Sequence, residues 1–400
     1  MKRVGLITMH RVVNCGSQLQ TYALFKIVES LGYHCEVIDY HYPSVYHYSR
    51  RTSCSEVRSF KGLVKLLFAH VGLLKFVQFF TLWIKERRTR QKMEIGWNGV
   101  RLTQKYDLKT IRRSPPDFDI YLVGSDQVWN PNYIVGDYSY LLEFAPDDKL
   151  KIAYSSSFGI KQLPDSERVP YARCLSRFDA IGTREPSGVE ILNALGINDG
   201  VAVLDPTMLL SKSEWELYAT SRRLHRGKYI FCYILSYVFK TCPWIIRYTK
   251  DVARILDSDI VFYGGGEPDC IDAAKAAGFI VLDDYIVPQD MVRYYLDAEY
   301  IIANGFHGTA FAITLDKHYT IVTNPNITDD DRVVSLLKRT GCESRAVKCG
   351  EMNYNISKDW LVNDRPERGH FNRLKAKSID FLSSSLSGTI YSCSFGAAND

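Results

Sequence analysis

Between Tyr300 and Phe311 the apolar run YIIAN passes directly into GFHGTAF. That order places His307 and the amides of Gly308 and Thr309 at a helix start, where unpaired N–H groups and the helix dipole favour an anion. The dipole also disfavours an imidazolium, which suits His307 to acid/base chemistry. A histidine capping its own helix is the plainer alternative; the flanking Gly305 and Gly308 favour close approach of a ligand over packing. Arg184 stands one residue beyond the run DAIGT and just before another helix. There its guanidinium can fork onto a carboxylate or phosphate, or pair with Glu185 beside it. Asp126 follows a third apolar run in GSDQVWNP. Its carboxylate there can take a proton from a hydroxyl or cap a turn.

Each of these residues lies at the carboxyl end of a strand-like run, the end at which open α/β sheets bind ligands. The same rule selects Asn14, Gly16 and Ser17, then Ser125, Asp126 and Gln127, Arg184 and Glu185, the glycines at Gly264, and Asn304 to Thr309. Asn14, Gly16 and Ser17 offer a cradle for an anionic ligand ahead of the next helix. Gly264 to Gly266 has neither a GxGxxG spacing nor a P-loop lysine and reads as a turn. HExxH, GxSxG and Walker motifs are absent, which removes support for zinc proteases, serine hydrolases and P-loop kinases. Asp117-Phe118-Asp119 and Asp257-Ser258-Asp259 have DxD spacing but precede strands, away from the ligand crevice. Asp329, Asp330 and Asp331 open a helix, where capping explains them.

The elements that would hold these residues alternate. Strand Arg3 to Thr8, a polar loop with Asn14, Gly16 and Ser17, helix Gln18 to Leu31 and strand Glu36 to Tyr40 form a βαβ unit. Strands Asp119 to Val123, Lys151 to Ser155, Ala180 to Thr183 and Val201 to Leu204 follow, with helices Ser166 to Arg177 and Glu185 to Leu195 between them. The pattern restarts at strand Lys228 to Leu235, and runs through strands ending at Tyr263, Ala303 and Thr323. Alternating strands and helices mean parallel, doubly wound sheets. The expected architecture is therefore α/β, two Rossmann-like domains facing each other: residues 1–215, with a helical insert at about 50–96, and 216–345. Residues 346–400 read as an extension, poorly ordered from Ser383.

Four hundred residues suit two domains, and 46% hydrophobic with 24% charged residues suits a soluble globular chain. The ten cysteines show no CxxC pair or zinc-ligand spacing and read as reduced thiols. MKRVGLITMH has no signal-peptide h-region or cleavage site, which points to a cytoplasmic address. The formal charge of +5 is uneven: eleven Lys and Arg between Arg50 and Lys92 face only Glu56 and Glu86, leaving the rest of the chain acidic. Lys75 and Gln78 break what would be a spanning length, so this segment reads as a pair of amphipathic helices. It either packs on the core with its lysine stems snorkelling outwards or touches an anionic membrane surface or lipid-linked pyrophosphate. Nucleic acid is not expected as a partner.

The blocks NCGSQLQTYAL, GYHCEVIDY, FDIYLVGSDQVWNP, KIAYSSSFG, RFDAIGTREPSGVEIL, VLDPTMLL, AEYIIANGFHGTAFAI and DDRVVSLLKRTG resemble, in order, the polysaccharide pyruvyl transferase family. The resemblance runs from Val4 to about Arg345 and leaves out the basic insert and the tail. It implies a metal-independent enzyme with a GT-B-like pair of Rossmann domains. No cofactor is implied; phosphoenolpyruvate is the donor co-substrate and a pyruvate ketal on a sugar the product. The family's histidine block falls on His307 and its Arg-Glu block on Arg184 and Glu185. Other branches carry an arginine two residues before that histidine, where this chain has Gly305. The donor's anionic groups then need another partner, and Arg184, Arg332 and Lys317 are the candidates.

The enol ether chemistry of such a donor suggests protonation of its methylene carbon by His307, attack by a sugar hydroxyl with Asp126 as base, loss of phosphate, and closure by a second hydroxyl, with Arg184 and the amides after His307 holding the donor's anionic groups. The basic segment suits a lipid-pyrophosphate acceptor, such as an undecaprenyl-linked capsular or exopolysaccharide repeat ending in galactose, and peripheral contact with the inner membrane face. Two other readings stand beside this one, because fold does not fix function. One is a GT-B glycosyltransferase using a nucleotide sugar. The other is a non-catalytic carbohydrate- or membrane-binding subunit.

Overall fold

Runs such as VGLI, IYLV and YIIA are apolar at consecutive positions, the mark of strands covered on both faces by helices. The computed structural model describes residues 1–42, 73–235, 238–265, 268–282, 285–326, 332–354 and 356–389. In the first half the strands are β1 (Arg3–Ile7), β2 (His34–Tyr40), β3 (Leu102–Tyr106), β4 (Ile120–Val123), β5 (Leu150–Ser156), β6 (Ala180–Thr183) and β7 (Val201–Ala202). They form one parallel sheet in the order β3-β2-β1-β4-β5-β6-β7. In the second half they are β8 (Tyr229–Leu235), β9 (Asp259–Gly265), β10 (Ile280–Val281), β11 (Tyr300–Ala303), β12 (His318–Thr323) and β13 (Ala346–Lys348). These also run parallel, in the order β10-β9-β8-β11-β12-β13. The chain is thus an α/β protein of two Rossmann-like halves, in the GT-B-like arrangement.

Strand order reverses direction between β1 and β4 in the first sheet and between β8 and β11 in the second. Connections leave such a pair towards opposite faces and open a crevice at the carboxyl ends. The two crevices face one another. A single apolar cluster runs through both halves, joining Leu19, Leu24 and Ile120 of the first to Tyr295, Ile301 and Phe311 of the second.

Three expectations are corrected. Gly16 and Ser17 are not in a loop: the helix spans Cys15–Ser30, because the Asn14 side chain caps it by accepting from Gly16 N at 2.7 Å. Gly264 and Gly265 continue β9 rather than turning; Gly266 and Asp329 to Asp331 lie outside the described residues. Residues beyond 345 are not merely an extension. Ala346–Lys348 is a strand of the second sheet, and the helix Gly369–Ser387 returns to the first half. There Ser378 Oγ accepts from Leu204 N at 2.9 Å, and Phe381 fills the space that a Cβ on Gly182 would need. The helix takes in Ser383 and ends at Gly388, whose φ of 77° is the left-handed cap that glycine favours.

Of the basic segment, residues 50–72 lie outside the described residues, and the remainder contributes the helix Leu73–Gly96. Its last turn is tied to both halves. Arg11 donates to Glu94 at 2.7 Å and Gln18 Nε2 to Met93 O at 3.1 Å, while from the second half Gln289 Nε2 donates to Ile95 O at 3.2 Å. Among the described residues no helix is long and apolar enough to cross a membrane.

Candidate active site

The first half supplies Asp126, Arg184, Glu185 and Asp205 to the seam. β4 ends at Val123, and the chain turns through Gly124 and Ser125 to Asp126, whose φ of 79° is rare for a residue with a side chain. The Ser156 bridge and the bond from Ser157 N to Asp126 O at 2.9 Å hold that conformation. The Asp126 carboxylate accepts from Ser17 Oγ at 2.5 Å and from Gln127 N at 2.9 Å. Gln127 in turn accepts from Asn130 Nδ2 at 2.8 Å.

Arg184 follows β6. Its Nε donates to Glu185 Oε1 at 2.6 Å, so the pairing between neighbours that spacing allowed is made. That bond uses only one nitrogen. The two terminal nitrogens are buried and have no hydrogen-bond partner among the described residues, although Asp126 Oδ1 stands 3.8 Å and Asp205 Oδ2 3.9 Å from one of them. A guanidinium buried with two unmatched donors costs stability unless something accepts from it.

Asp205, three residues beyond β7, is fully buried. Its Oδ1 accepts from Thr207 N at 2.9 Å and Thr207 Oγ1 at 2.6 Å, and its Oδ2 from Ser125 Oγ at 2.6 Å.

The second half contributes Phe306 and His307 from the first turn of the helix Phe306–Thr314. The Phe306 ring lies under the Arg184 guanidinium, 4.2 Å from its central carbon, a cation–π stack across the seam. His307 Nε2 is buried without a hydrogen-bond partner among the described residues, 3.8 Å from Asp205 Oδ2. Its other edge faces Gly16, where a Cβ would come within 2.2 Å of Nδ1.

Burial pushes the Asp126 carboxyl up, but the His307 and Arg184 charges and the Ser17 and Gln127 hydrogen bonds outweigh it and hold it below its ordinary range. Burial likewise acts on Asp205, and its contacts with His307, Arg184 and Ser125 hold it well below that range. Burial disfavours the Arg184 charge; Glu185 and then Asp126 more than restore it, although the charge of Arg332 acts the other way. The seam thus contains two carboxylates that stay ionised, a guanidinium with two donors to spare, and an imidazole between them.

Structure and sequence differ over several candidates. Lys317 is at the far end of the His307 helix, past Thr314, where its Nζ donates to Leu296 O at 3.0 Å. It lies at the amino end of β12, opposite the crevice, and is not a partner for a ligand there. Asn304 spends its amide on the main chain, accepting from Leu235 N at 2.7 Å and donating to Leu235 O at 3.1 Å, which ties the ends of β8 and β11 together. Gly308 is required by packing, since a Cβ there would meet Ala303 at 2.9 Å and Tyr233 at 3.1 Å. The Thr309 hydroxyl bonds back to Gly305 O at 3.0 Å. Arg332, by contrast, opens the helix Arg332–Thr340 within electrostatic reach of Arg184.

Sequence reasoning missed Asp205, although the rule that selected the other candidates applies to it. The strand before it was read, as Val201 to Leu204 where the structure has Val201–Ala202, but Asp205 was assigned to the boundary between the halves rather than to a strand end. Phe306 was passed over because an aromatic beside a histidine signals nothing until its ring is seen under Arg184.

Among the described residues no group of three or more His, Cys, Asp and Glu side chains is arranged to hold a metal ion.

Two Rossmann-like halves that bring an imidazole, a guanidinium and two carboxylates to their facing crevices define an α/β protein equipped to bind an anion and move a proton beside it. A family model described as polysaccharide pyruvyl transferase matches residues 14–324, and the chain belongs to that family. It is therefore an enzyme of polysaccharide biosynthesis, and a sugar or polysaccharide acceptor is implied. No curated protein matches the chain significantly. Among solved structures it is similar to the UDP-GlcNAc 2-epimerase from Neisseria meningitidis bound to UDP-GlcNAc, at 8% identity, covering 96% of this chain and 99% of that one with a TM-score of 0.49. It is also similar to the UDP-GlcNAc 2-epimerase from Methanocaldococcus jannaschii, at 9% identity over 95% and 99% of the chains with a TM-score of 0.49. A third is the E. coli ADP-heptose LPS heptosyltransferase II, at 10% identity over 94% and 99% with a TM-score of 0.38. Similarity at these scores carries no function across.

Proposed function

We propose that the protein moves the enolpyruvyl group of phosphoenolpyruvate onto two hydroxyls of one sugar, forming a cyclic pyruvate ketal and releasing phosphate. The observation that carries this reading is the set of unmatched buried donors, the two terminal nitrogens of Arg184 beside His307 Nε2. A carboxylate or phosphate is the ligand chemistry such donors accept, and phosphoenolpyruvate has both.

In the proposed reaction Arg184 binds an anionic group of the donor, with Glu185 on Nε fixing its plane and the Phe306 ring supporting its face. His307 delivers a proton to the methylene carbon, and the central carbon gains oxocarbenium character. A sugar hydroxyl attacks there and loses its proton to Asp126. The bond to phosphate breaks, the second hydroxyl closes the ring, and its proton is taken up in turn. One hydroxyl proton ends on the new methyl group and the other leaves with phosphate, so the balance closes without an added reductant or oxidant. Asp205 stands 3.8 Å from Nε2 of His307 and orients the imidazole, while the Nδ1 edge packs on Gly16. The work left to the protein is proton transfer and fixed charge, each worth several powers of ten in rate when prepositioned.

The acceptor in this reading is a lipid-pyrophosphate-linked saccharide of a capsular or exopolysaccharide repeat, with galactose offering its 4- and 6-hydroxyls. The enzyme then works in the cytoplasm at the inner membrane face. Support comes from Arg87, Arg88, Arg90 and Lys92 in the last turns of a helix anchored at the mouth of the seam.

The test is phosphate release from phosphoenolpyruvate by the purified protein, with and without a galactose-terminated lipid-pyrophosphate acceptor and with EDTA throughout. Acceptor-dependent release in the chelator supports metal-independent pyruvyl transfer. No release with a panel of acceptors, together with saturable binding of a nucleotide sugar, favours the glycosyltransferase reading instead.

A further inference from the structure

One guanidinium from the second half reaches across the seam without touching any of the charged groups described above. Arg339, near the end of the helix Arg332–Thr340, donates through Nη1 to Arg184 O at 2.8 Å and to Val203 O at 3.4 Å, and through Nη2 to Ala202 O at 3.0 Å. Ala202 is the last residue of β7, and Arg184 and Val203 are the first beyond β6 and β7, where the sheet stops and leaves acceptors without ladder partners. One carbonyl belongs to Arg184 itself. Another belongs to Val203, two residues before Asp205 on a stretch with no slack, since Asp205 is fixed by Thr207 and Ser125.

The helix that carries Arg339 packs on the helix that carries His307. Arg339 is therefore a rigid link between the element holding the imidazole and the two main-chain segments holding Arg184 and Asp205. Its charge has little other employment. Burial disfavours it, with Glu185 the carboxylate that favours it. Glu185 also accepts from Arg184 Nε, so the same carboxylate lies between the two guanidinia.

We propose that Arg339 is a positioning residue for pyruvyl transfer: it sets Arg184 and Asp205 of the first half against His307 of the second, and so makes donor binding depend on the two halves being closed. This rests on the reading given under Proposed function. A satisfied set of sheet-end carbonyls alone would account for the bonds but not for their choice of segments, since two of the three steer charged groups at the seam. The Arg184 side chain is almost wholly buried, with 1% of its surface exposed, so a donor reaches it only when the seam opens. Opening must break or stretch the Arg339 bonds, and closing remakes them.

The test compares the wild-type chain with Arg339→Lys and Arg339→Ala for the KM of phosphoenolpyruvate, the KM of the acceptor, kcat and thermal unfolding. Loss of hydrogen bonds from a charged donor predicts a fall in kcat/KM for phosphoenolpyruvate of roughly ten- to a hundredfold in Arg339→Ala. The acceptor KM should stay within about twofold, because Arg339 steers donor groups only. Millimolar guanidinium should restore part of the activity of Arg339→Ala, and Arg339→Lys should lie between the two. A general loss tracking the folded fraction, with donor and acceptor parameters falling together and no rescue, would overturn the proposal, as would unchanged donor kinetics. If the wild-type chain itself transfers no pyruvyl group, that counts against the reading of function. Arg339 is then judged by equilibrium binding of inorganic phosphate, which must weaken by a similar factor in Arg339→Ala; equal binding in both proteins overturns it.

Discussion

Asp205 Oδ2 stands 3.8 Å from His307 Nε2, one fixed by the end of the first sheet and the other by a helix of the second. Thr207 N and Oγ1 hold Oδ1 and Ser125 Oγ holds Oδ2, which fixes the plane of the carboxylate and leaves Oδ2 one lone pair towards His307. In the proposed reaction it orients the imidazole. Asp205→Asn keeps the shape and removes the charge, and turnover should fall by roughly a hundredfold or more, as when an orienting carboxylate is neutralised. Steady-state kinetics with a parallel thermal melt checks this; turnover within a few-fold of wild type would remove Asp205 from the mechanism.

His307→Gln should lower turnover by about a hundred- to ten-thousandfold, the worth of a placed general acid, while phosphoenolpyruvate still binds through Arg184. Rapid-quench turnover and equilibrium dialysis separate the two effects. Near-normal turnover would show that another group protonates the methylene carbon.

Gly16→Ala sets local and tertiary preferences against each other. Alanine stabilises a helix relative to glycine by about 1 kcal/mol, yet its Cβ would enter the space of the imidazole, 2.2 Å from Nδ1. The clash reaches the ring and Cβ of His307, so the expected result is activity largely lost with a melting temperature below wild type despite the helix preference. A fully active variant would mean that His307 has freedom to move that its surroundings do not suggest.

Asp126 and Asp205 are both held below the ordinary carboxylate range, chiefly against burial by His307 and Arg184. A carboxyl whose folded value is depressed contributes stability that is full above its unfolded value of about 3.9 and is lost as pH falls through the folded value. Urea unfolding should therefore show no loss from these groups at pH 5 and a progressive one below about pH 4. Asp205→Asn should flatten that acid limb. A limb unchanged in the variant would place the acid sensitivity elsewhere.

Lys317→Met tests the placement of the anion partner. Burial lowers the Lys317 ammonium to about 8, and from beyond the far end of the His307 helix it donates to Leu296 O of the helix Pro288–Asp297. Turnover and the KM of phosphoenolpyruvate should stay within about twofold of wild type. A marked rise in that KM would restore Lys317 as a donor contact and contradict the geometry.

The strand ends were readable because each is a short apolar run broken by a polar residue. Ala180–Thr183 and Tyr300–Ala303 were read with the ends they have, and Arg184 and His307 followed from them. Of the four edge strands, β3 and β13 were not readable. β3 is LTQKY, half exposed and mostly polar, and β13 has only three residues; neither has the double-sided burial that produces an apolar run. The helix Gly369–Ser387 was lost among serines, because the packing of its Phe381 against Tyr154 and Gly182 appears only once the chain has returned to the first half.

The amino-acid sequence by itself determined the alternation of strands and helices, the restart that makes two halves, and the polar residues at most of the strand ends, because hydrophobic periodicity and helix signals are local. Only the tertiary structure decided that Gly16 must lack a side chain for His307, that Asp205 belongs with it, that Lys317 does not, and that two nitrogens of Arg184 are left without partners. Those facts depend on how two sheets face each other across residues far apart in the chain. Which groups meet at such a seam is set by the summed packing of both halves, which leaves no periodic trace in either segment.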